Sequence, residues 1–406
     1  MTKKCYYFAP RLEKCVAVVT DCHAVEGGFE VATDQTVIYP EGGGQPSGSG
    51  TVNDSPVFSA REEHETVWHL TDRAFQKGEE VVLTCNLPER IEHSQQHTGE
   101  HIVSGLAKKL FGANNVGFHM ARTYATLDLD RPFTDEEVKA LENAANKAVF
   151  DDLPIEYEMK SREELMDEQE QKPLRKPLAA GVEGEIRVVN IPGVDRCACC
   201  GTQVESTAQV GLIKLTCAEH YKGGMRFTFA CGMRALTDYQ NKQEIVSEIA
   251  KRFSTRQDEA YSAVVRQGEE LASLKREYRT RTALLMNYLA RELYDAADEI
   301  SGTRLVVSVQ EGYSASELKP LSEAVLKQGK CAAMLFVPEG ETVRYALAAS
   351  ENVRLSMRDA AEAVNAALGG KGGGRENFAQ GSARKRPGFE QTVEQLKGYF
   401  SAVLRG

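Results

Sequence analysis

Between Asp195 and Lys319 the chain contains no proline, and this constrains its fold more than any other feature of the sequence. From about Arg234 to Ile300, charged residues alternate with apolar ones at steps of three and four, with Leu271, Leu274, Tyr278, Leu285 and Leu289 as examples. A proline would remove a helical hydrogen bond and clash with the preceding turn. The stretch therefore predicts one or two long helices with an apolar seam. A coiled coil or helical hairpin gives this pattern, and so does a helix packed on its own protein. Gly268 inside the stretch argues against a single unbroken rod.

The regions on either side read differently. In residues 1–90, short β-branched runs alternate with turn signals. Val16–Thr20, Phe29–Thr33, Thr36–Tyr39, Val67–Leu70 and Val81–Cys85 read as strands, and their even spacing predicts a small β-barrel or sandwich. Glu41–Gly50, EGGGQPSGSG, interrupts them with a glycine-rich loop. From Ile91 the period becomes helical as far as Phe111, with Gly112 as a stop signal. Helices at 134–149 and 161–171 follow, then strands near 186–191, 210–217 and 225–230. The tail reads strand, helix, two strands, helix, glycine loop, helix. The expected fold class is α+β with several domains: a barrel over 1–90, an α+β domain over 91–233, a helical segment over 234–300, and an α/β module over 301–406. At 406 residues the length suits several cores rather than one.

Composition narrows the function classes. The net charge of −10 argues against indiscriminate nucleic-acid binding and requires that any RNA footprint be a local basic patch. No apolar run is long enough to span a bilayer, and the first residues, MTKKCYYFAP, lack the pattern of a secretory signal. A cytoplasmic protein without membrane attachment is expected. Ten cysteines in a reducing compartment point to metal ligation or burial rather than disulfides.

The chemical signal is QHTGEH, in which His97 and His101 stand four residues apart on a predicted helix, placing both imidazoles on one face. Glutamate does not directly follow the first histidine, so this is not the metalloprotease arrangement. Further on, DRCACCGTQ puts Cys197, Cys199 and Cys200 within four residues. Two imidazoles and one thiolate suit zinc and leave a fourth position open, as a catalytic site requires.

These segments together carry a resemblance. YPEGGGQPSGSG, HSQQHTGEH, GFHM (Gly117–Met120) and CCGTQVESTAQVGLIKL occur in the order found in the alanyl-tRNA editing family, which comprises AlaX-type proteins and the editing domain of alanyl-tRNA synthetase. GGKGGGRENFAQGSA (Gly369–Ala383) resembles the DHH-associated domain that ends the longer members. The resemblance implies zinc bound by His97, His101 and Cys199. Gln203 falls where the family has its second zinc-binding histidine, so Gln203, Cys197 or no protein ligand completes the site. It further implies that Gly42, Gly43, Gly44 and Gln45 face the aminoacyl end of the substrate.

The implied activity is trans-editing, in which the chain hydrolyses the ester that joins serine or glycine to mischarged tRNA for alanine. Thr36 and Gln45 are candidate readers of the serine hydroxyl, because a hydrogen-bonding site rejects an analogue that lacks the group. Glu100 is a candidate general base, with exposure on the helix surface as the plainer expectation. Lys371, Arg375, Arg384, Lys385 and Arg386 cluster in a glycine-rich setting with one nearby acid, Glu376, and suit a phosphate backbone. The helical seam suggests a homodimer. The competing expectations are a catalytically degenerate tRNA-binding homologue, favoured by Gln203, and a zinc-stabilised coiled-coil assembly protein.

Overall fold

Short β-branched strands near the N-terminus can bury one face each only by closing on one another. In the computed structural model, which describes residues 1–178 and 184–405, six of them form a closed barrel. Its order is Lys14–Val25, Gly28–Thr33, Thr66–Thr71, Ser55–Glu63, Gly50–Val52 and Glu80–Cys85, and every pairing is antiparallel. Alternating residues fill the interior, among them Val19, Val31, Val57, Val67, Val81 and Leu83. Thr36–Tyr39, expected as a strand, is one only at Gln35–Thr36. Beyond it the backbone is held by side chains instead of a ladder: Ile38 N donates to the Thr36 hydroxyl, and the Arg90 guanidinium donates to the Val37 carbonyl.

The chain divides into two compact units, Met1–Ile249 and Ala250–Gly406. In the first, the barrel leads into helix α1 (Leu87–Phe111), four residues longer at its start than the periodicity predicts. Asn86 caps it by accepting from Glu89 N, Pro88 sits in its first turn, and Gly112 ends it in the left-handed region. Helix α2 (Asp135–Phe150) opens with a capping box from Thr134 and Glu137. Helix α3 (Arg162–Asp167) stops short of the expected Gln171, and turns carry the chain onward. A four-stranded antiparallel sheet, in the order Ile213–Tyr221, Gly224–Cys231, Ala125–Leu129, Asn115–Met120, shares its core with α1, α2 and a three-stranded sheet of Glu156–Lys160, Ile186–Ile191 and Asp195–Ala198.

The proline-free stretch forms two helices, α4 (Gly232–Arg252) and α5 (Ala260–Asp295). The break falls at 253–259, where Ser254 adopts a positive φ, and not at Gly268, which lies exposed within α5. Leu271, Leu274 and Tyr278 are exposed, whereas Met286 and Ala290 pack with helix α6 (Ala315–Leu326). The second unit is built on a six-stranded sheet in the order Asp298–Ile300, Thr303–Val309, Cys331–Glu339, Thr342–Ala349, Phe378–Arg384, Lys371–Gly374. Residues 331–337 are wholly buried because both sheet faces are covered. Ala333, Leu335 and Val337 meet α5 and α6, while Ala332, Met334 and Phe336 meet helices α7 (Met357–Leu368) and α8 (Phe389–Arg405). The segment expected as a glycine loop is a β-hairpin, Lys371–Gly374 against Phe378–Arg384. Its glycines leave room for Tyr345, whose hydroxyl would lie 2.2 Å from a Cβ at position 372.

Candidate metal centre

Helix α1 turns polar residues into the protein interior. Gln96, His97, Thr98, Glu100, His101 and Ser104 are all buried, which is stable only where each finds a partner. His97 and His101 share one face, and Cys199 approaches them from the loop after strand Asp195–Ala198. One ligand atom from each of the three lies within 4.8 Å of the others, and His97 Nε2 is 3.4 Å from Cys199 Sγ.

The second nitrogen of each ring is engaged. Nδ1 of His97 donates to Oε1 of Gln45 at 2.8 Å, and Nδ1 of His101 donates to Oδ2 of Asp195 at 2.7 Å. Both rings are thus held in the tautomer that leaves Nε2 as a lone-pair donor. Burial opposes ionisation of Cys199, but the positive charge that His97 and His101 carry when protonated holds its thiol well below the ordinary value, a stabilisation that a bound cation would supply with both rings neutral. Two imidazole nitrogens and a thiolate are a donor set that fits zinc.

Two glycines permit this approach. Gly44 has φ +81°, and a Cβ there would lie 2.5 Å from the Phe118 carbonyl. The close contact lets the Gly44 carbonyl accept from Met120 N and delivers Gln45 beneath His97. A Cβ at Gly201 would stand 1.9 Å from Cε1 of His97, so only glycine lets the loop after Cys199 pass the ring.

A cavity of about 680 Å³ opens beside the cluster, lined among others by Gly43, His97, Glu100, His101, Arg187 and Cys199. The other candidates from the sequence lie around it. Gln45 is buried, with its amide engaged by His97 and by Thr202, whose N donates to Oε1 at 3.1 Å and whose hydroxyl accepts from Nε2 at 2.9 Å. Thr36 is fully buried in the barrel with its hydroxyl 2.8 Å from His69 Nε2. Neither Gln45, Thr36, Gly42 nor Gly44 lines the cavity. Gln203 accepts at Oε1 from the Thr98 hydroxyl at 2.7 Å and turns Nε2 toward Cys199 Sγ at 3.7 Å, so its amide oxygen points away from the cluster. Cys197 lines the cavity, with its thiol pushed up to about 11 by burial.

Glu100 is not on the surface: it is 3% exposed. Burial opposes its charge, but Arg175, His101 and His97 outweigh that and bring its carboxyl down to about 2. Its Oε1 accepts from Ser104 at 2.5 Å and Asn115 at 2.6 Å. Arg175 stands 3.5 Å from Glu100 and donates to Asp195 Oδ1 at 2.7 Å. Asp195, Arg175, Ser104, Asn115 and Arg187 were not singled out from the sequence. The one available signal was Asp195, which shares with Cys197 the same side of a strand two residues before the thiolate segment. In the second unit, Lys371, Arg375, Arg384, Lys385 and Arg386 are exposed on and beside the hairpin, and Arg384 pairs with Glu341 at 3.1 Å.

Comparison with known proteins finds similarity in both units of the chain. Residues 186–227, which supply Arg187, Asp195, Cys199 and Gln203, match the Threonyl and Alanyl tRNA synthetase second additional domain, and residues 302–402 match the DHHA1 domain. The chain is similar, end to end, to the alanyl-tRNA editing protein AlaX-L of Pyrococcus horikoshii: the two are 29% identical over 98% of this chain and 99% of that protein. The alanine–tRNA ligase of Pyrococcus abyssi is 29% identical over 97% of this chain, which spans 43% of that enzyme. The alanyl-tRNA editing protein Aarsd1 of Mus musculus is 34% identical over 52% of this chain and 51% of its own length. Among the described residues no helix is long and apolar enough to cross a membrane.

Proposed function

We propose that this chain is a cytoplasmic trans-editing deacylase that hydrolyses the ester of serine or glycine on tRNA for alanine. The observation that carries the reading is the convergence of His97, His101 and Cys199 at the wall of a cavity, in a chain similar over its whole length to an alanyl-tRNA editing protein. His97, His101 and Cys199 would hold zinc, which would supply a polarising cation beside the ester. The ester is already activated, so the protein's task is chiefly to position it.

The residues divide that task. Gln45 and Asp195 orient the two imidazoles. Glu100, kept ionised by Arg175, is a weak base and serves to hold the α-ammonium group of the substrate in the cavity. Gly43 brings backbone close to the aminoacyl end. The division of the chain into barrel (1–90), editing (91–233), helical (234–300) and tRNA-binding (301–406) parts belongs to this reading, with the basic hairpin meeting the body of the tRNA and two copies pairing through the helical part or the last domain.

A second reading, a tRNA-binding homologue without catalysis, is favoured by one observation: Gln203 turns its amide nitrogen, not its oxygen, toward Cys199. The rate of deacylation of serine-charged tRNA for alanine, with alanine-charged tRNA as control, separates the two. Fast, selective release of serine is expected. No release from folded, zinc-loaded protein overturns the enzyme reading in favour of the binder.

A further inference from the structure

We infer that Arg187 is the anion-binding residue of the cavity and takes the phosphodiester that precedes the terminal nucleoside of the RNA. The inference rests on the proposed substrate and assigns a residue to one part of it.

Arg187 is 4% exposed and lines the cavity. Its guanidinium carbon lies 4.6 Å from the centre of the Tyr7 ring and 4.5 Å from that of Tyr157. Nη1 donates to the carbonyls of Cys199 at 3.0 Å and Gly201 at 2.9 Å. These contacts fix the plane of the guanidinium beside the candidate zinc ligand, but none of them neutralises it. Among the described residues Arg187 forms no ion pair, its Nε is buried without a partner, and Nη2 makes no hydrogen bond.

The other cavity-lining cations differ: Lys176 forms no ion pair among the described residues but is exposed to solvent, and two are paired. Lys4 is paired with Glu62 at 2.6 Å, and Arg175 with Asp195 and Glu100. A buried cation without an acid calls for an anion, and a guanidinium fixed in its plane suits phosphate oxygens. The aminoacyl end of the proposed substrate carries an ammonium and a neutral ester, so its negative charge lies only in the phosphodiesters. The first of these is one ribose from the scissile bond, and Arg187 is one hydrogen bond from the loop that carries Cys199.

The test compares adenosine with adenosine 5′-monophosphate as ligands of the zinc-loaded chain, by calorimetry, for wild type and Arg187→Gln. Wild type should bind the monophosphate at least tenfold more tightly, and the variant should bind the two alike. Arg187→Lys, which keeps the charge but lacks the planar fork, should retain only part of the preference. Equal binding of both ligands by wild type, or a full preference surviving in Arg187→Gln at normal zinc content, overturns the assignment. Because no turnover is needed, failure of the editing activity is seen separately. Where the activity is present, 2′(3′)-O-seryladenosine and its 5′-phosphate should show the same discrimination in kcat/KM, abolished in Arg187→Gln.

Discussion

Nδ1 of His101 and Oδ2 of Asp195 stand 2.7 Å apart, both almost wholly buried. This contact fixes which nitrogen of the ring faces Cys199. The aspartate is itself held by Arg175 through its other oxygen, so the orientation of His101 depends on a three-residue chain. Asp195→Asn keeps the volume but loses the charge that stabilises Nδ1–H. Zinc affinity measured by chelator competition should fall roughly 10–100-fold, with the circular dichroism spectrum unchanged. Retained affinity would show that His101 is oriented by other means.

Gly201→Ala tests the packing of the loop on His97. The added Cβ would lie 1.9 Å from Cε1 of the ring, so either the ring or the loop bearing Cys199 must move. Overpacking of this kind costs about 1–3 kcal/mol, which should appear as about a 10–100-fold loss in zinc binding together with lost deacylation. Unaltered zinc binding would mean that the loop yields without disturbing the cluster.

Much of this organisation was legible in the sequence, for identifiable reasons. The run CAAMLFV in strand Cys331–Glu339 is apolar on both faces because helices cover both, and α1 ends at Phe111 because Gly112 can adopt φ +69°. That His97, His101 and Cys199 come together was legible from the ordered motifs and the family they resemble, and not from the histidine pair or the cysteine cluster alone. What surrounds them was not. Arg175 and Arg187 look like surface cations in sequence, and only the fold encloses them. Thr36 lies near the glycine loop in sequence, yet the barrel turns its hydroxyl toward His69. The hairpin at 371–384 was hidden because its strands are rich in glycine, a residue that weakens strands unless another group packs closely against them; here that group is Tyr345.

His69 gives the barrel a pH-dependent stability distinct from the candidate site. It is fully buried, with Nδ1 donating to the Val31 carbonyl at 3.0 Å and Nε2 accepting from Thr36, and burial lowers its pKa to about 4. The folded protein therefore keeps the ring neutral down to that pH, whereas the unfolded chain begins to protonate it near the ordinary value of about 6.5. The unfolded state binds more protons across this window, so stability falls as pH drops from about 6.5 to about 4 and this contribution levels off below it. The loss amounts to about 3 kcal/mol. His69→Leu should be less stable at neutral pH, because Val31 and Thr36 lose their partner, but its stability should decline less over the same window. Urea unfolding of both proteins between pH 7 and 4 measures the difference; parallel curves would show that His69 is not held neutral.

The hairpin cations offer a test of where RNA is held. Lys371 and Arg375 are exposed, and neither forms an ion pair among the described residues, whereas Arg384 already meets Glu341 at 3.1 Å. A free exposed cation displaces counterions when it reaches a phosphate, and each such contact adds about one to the slope of log affinity against log salt. Lys371→Ala with Arg375→Ala should therefore weaken tRNA binding at low salt and lower that slope by about two, if both reach phosphates. Arg384→Ala should change it less, because leaving Glu341 offsets part of what a phosphate contact returns. Neither change should shift the melting temperature appreciably, since these side chains pack against nothing in the core. Salt titrations of tRNA binding read both slopes. An unchanged slope in the double variant would remove the hairpin from the RNA interface and direct the search to other cations of the chain.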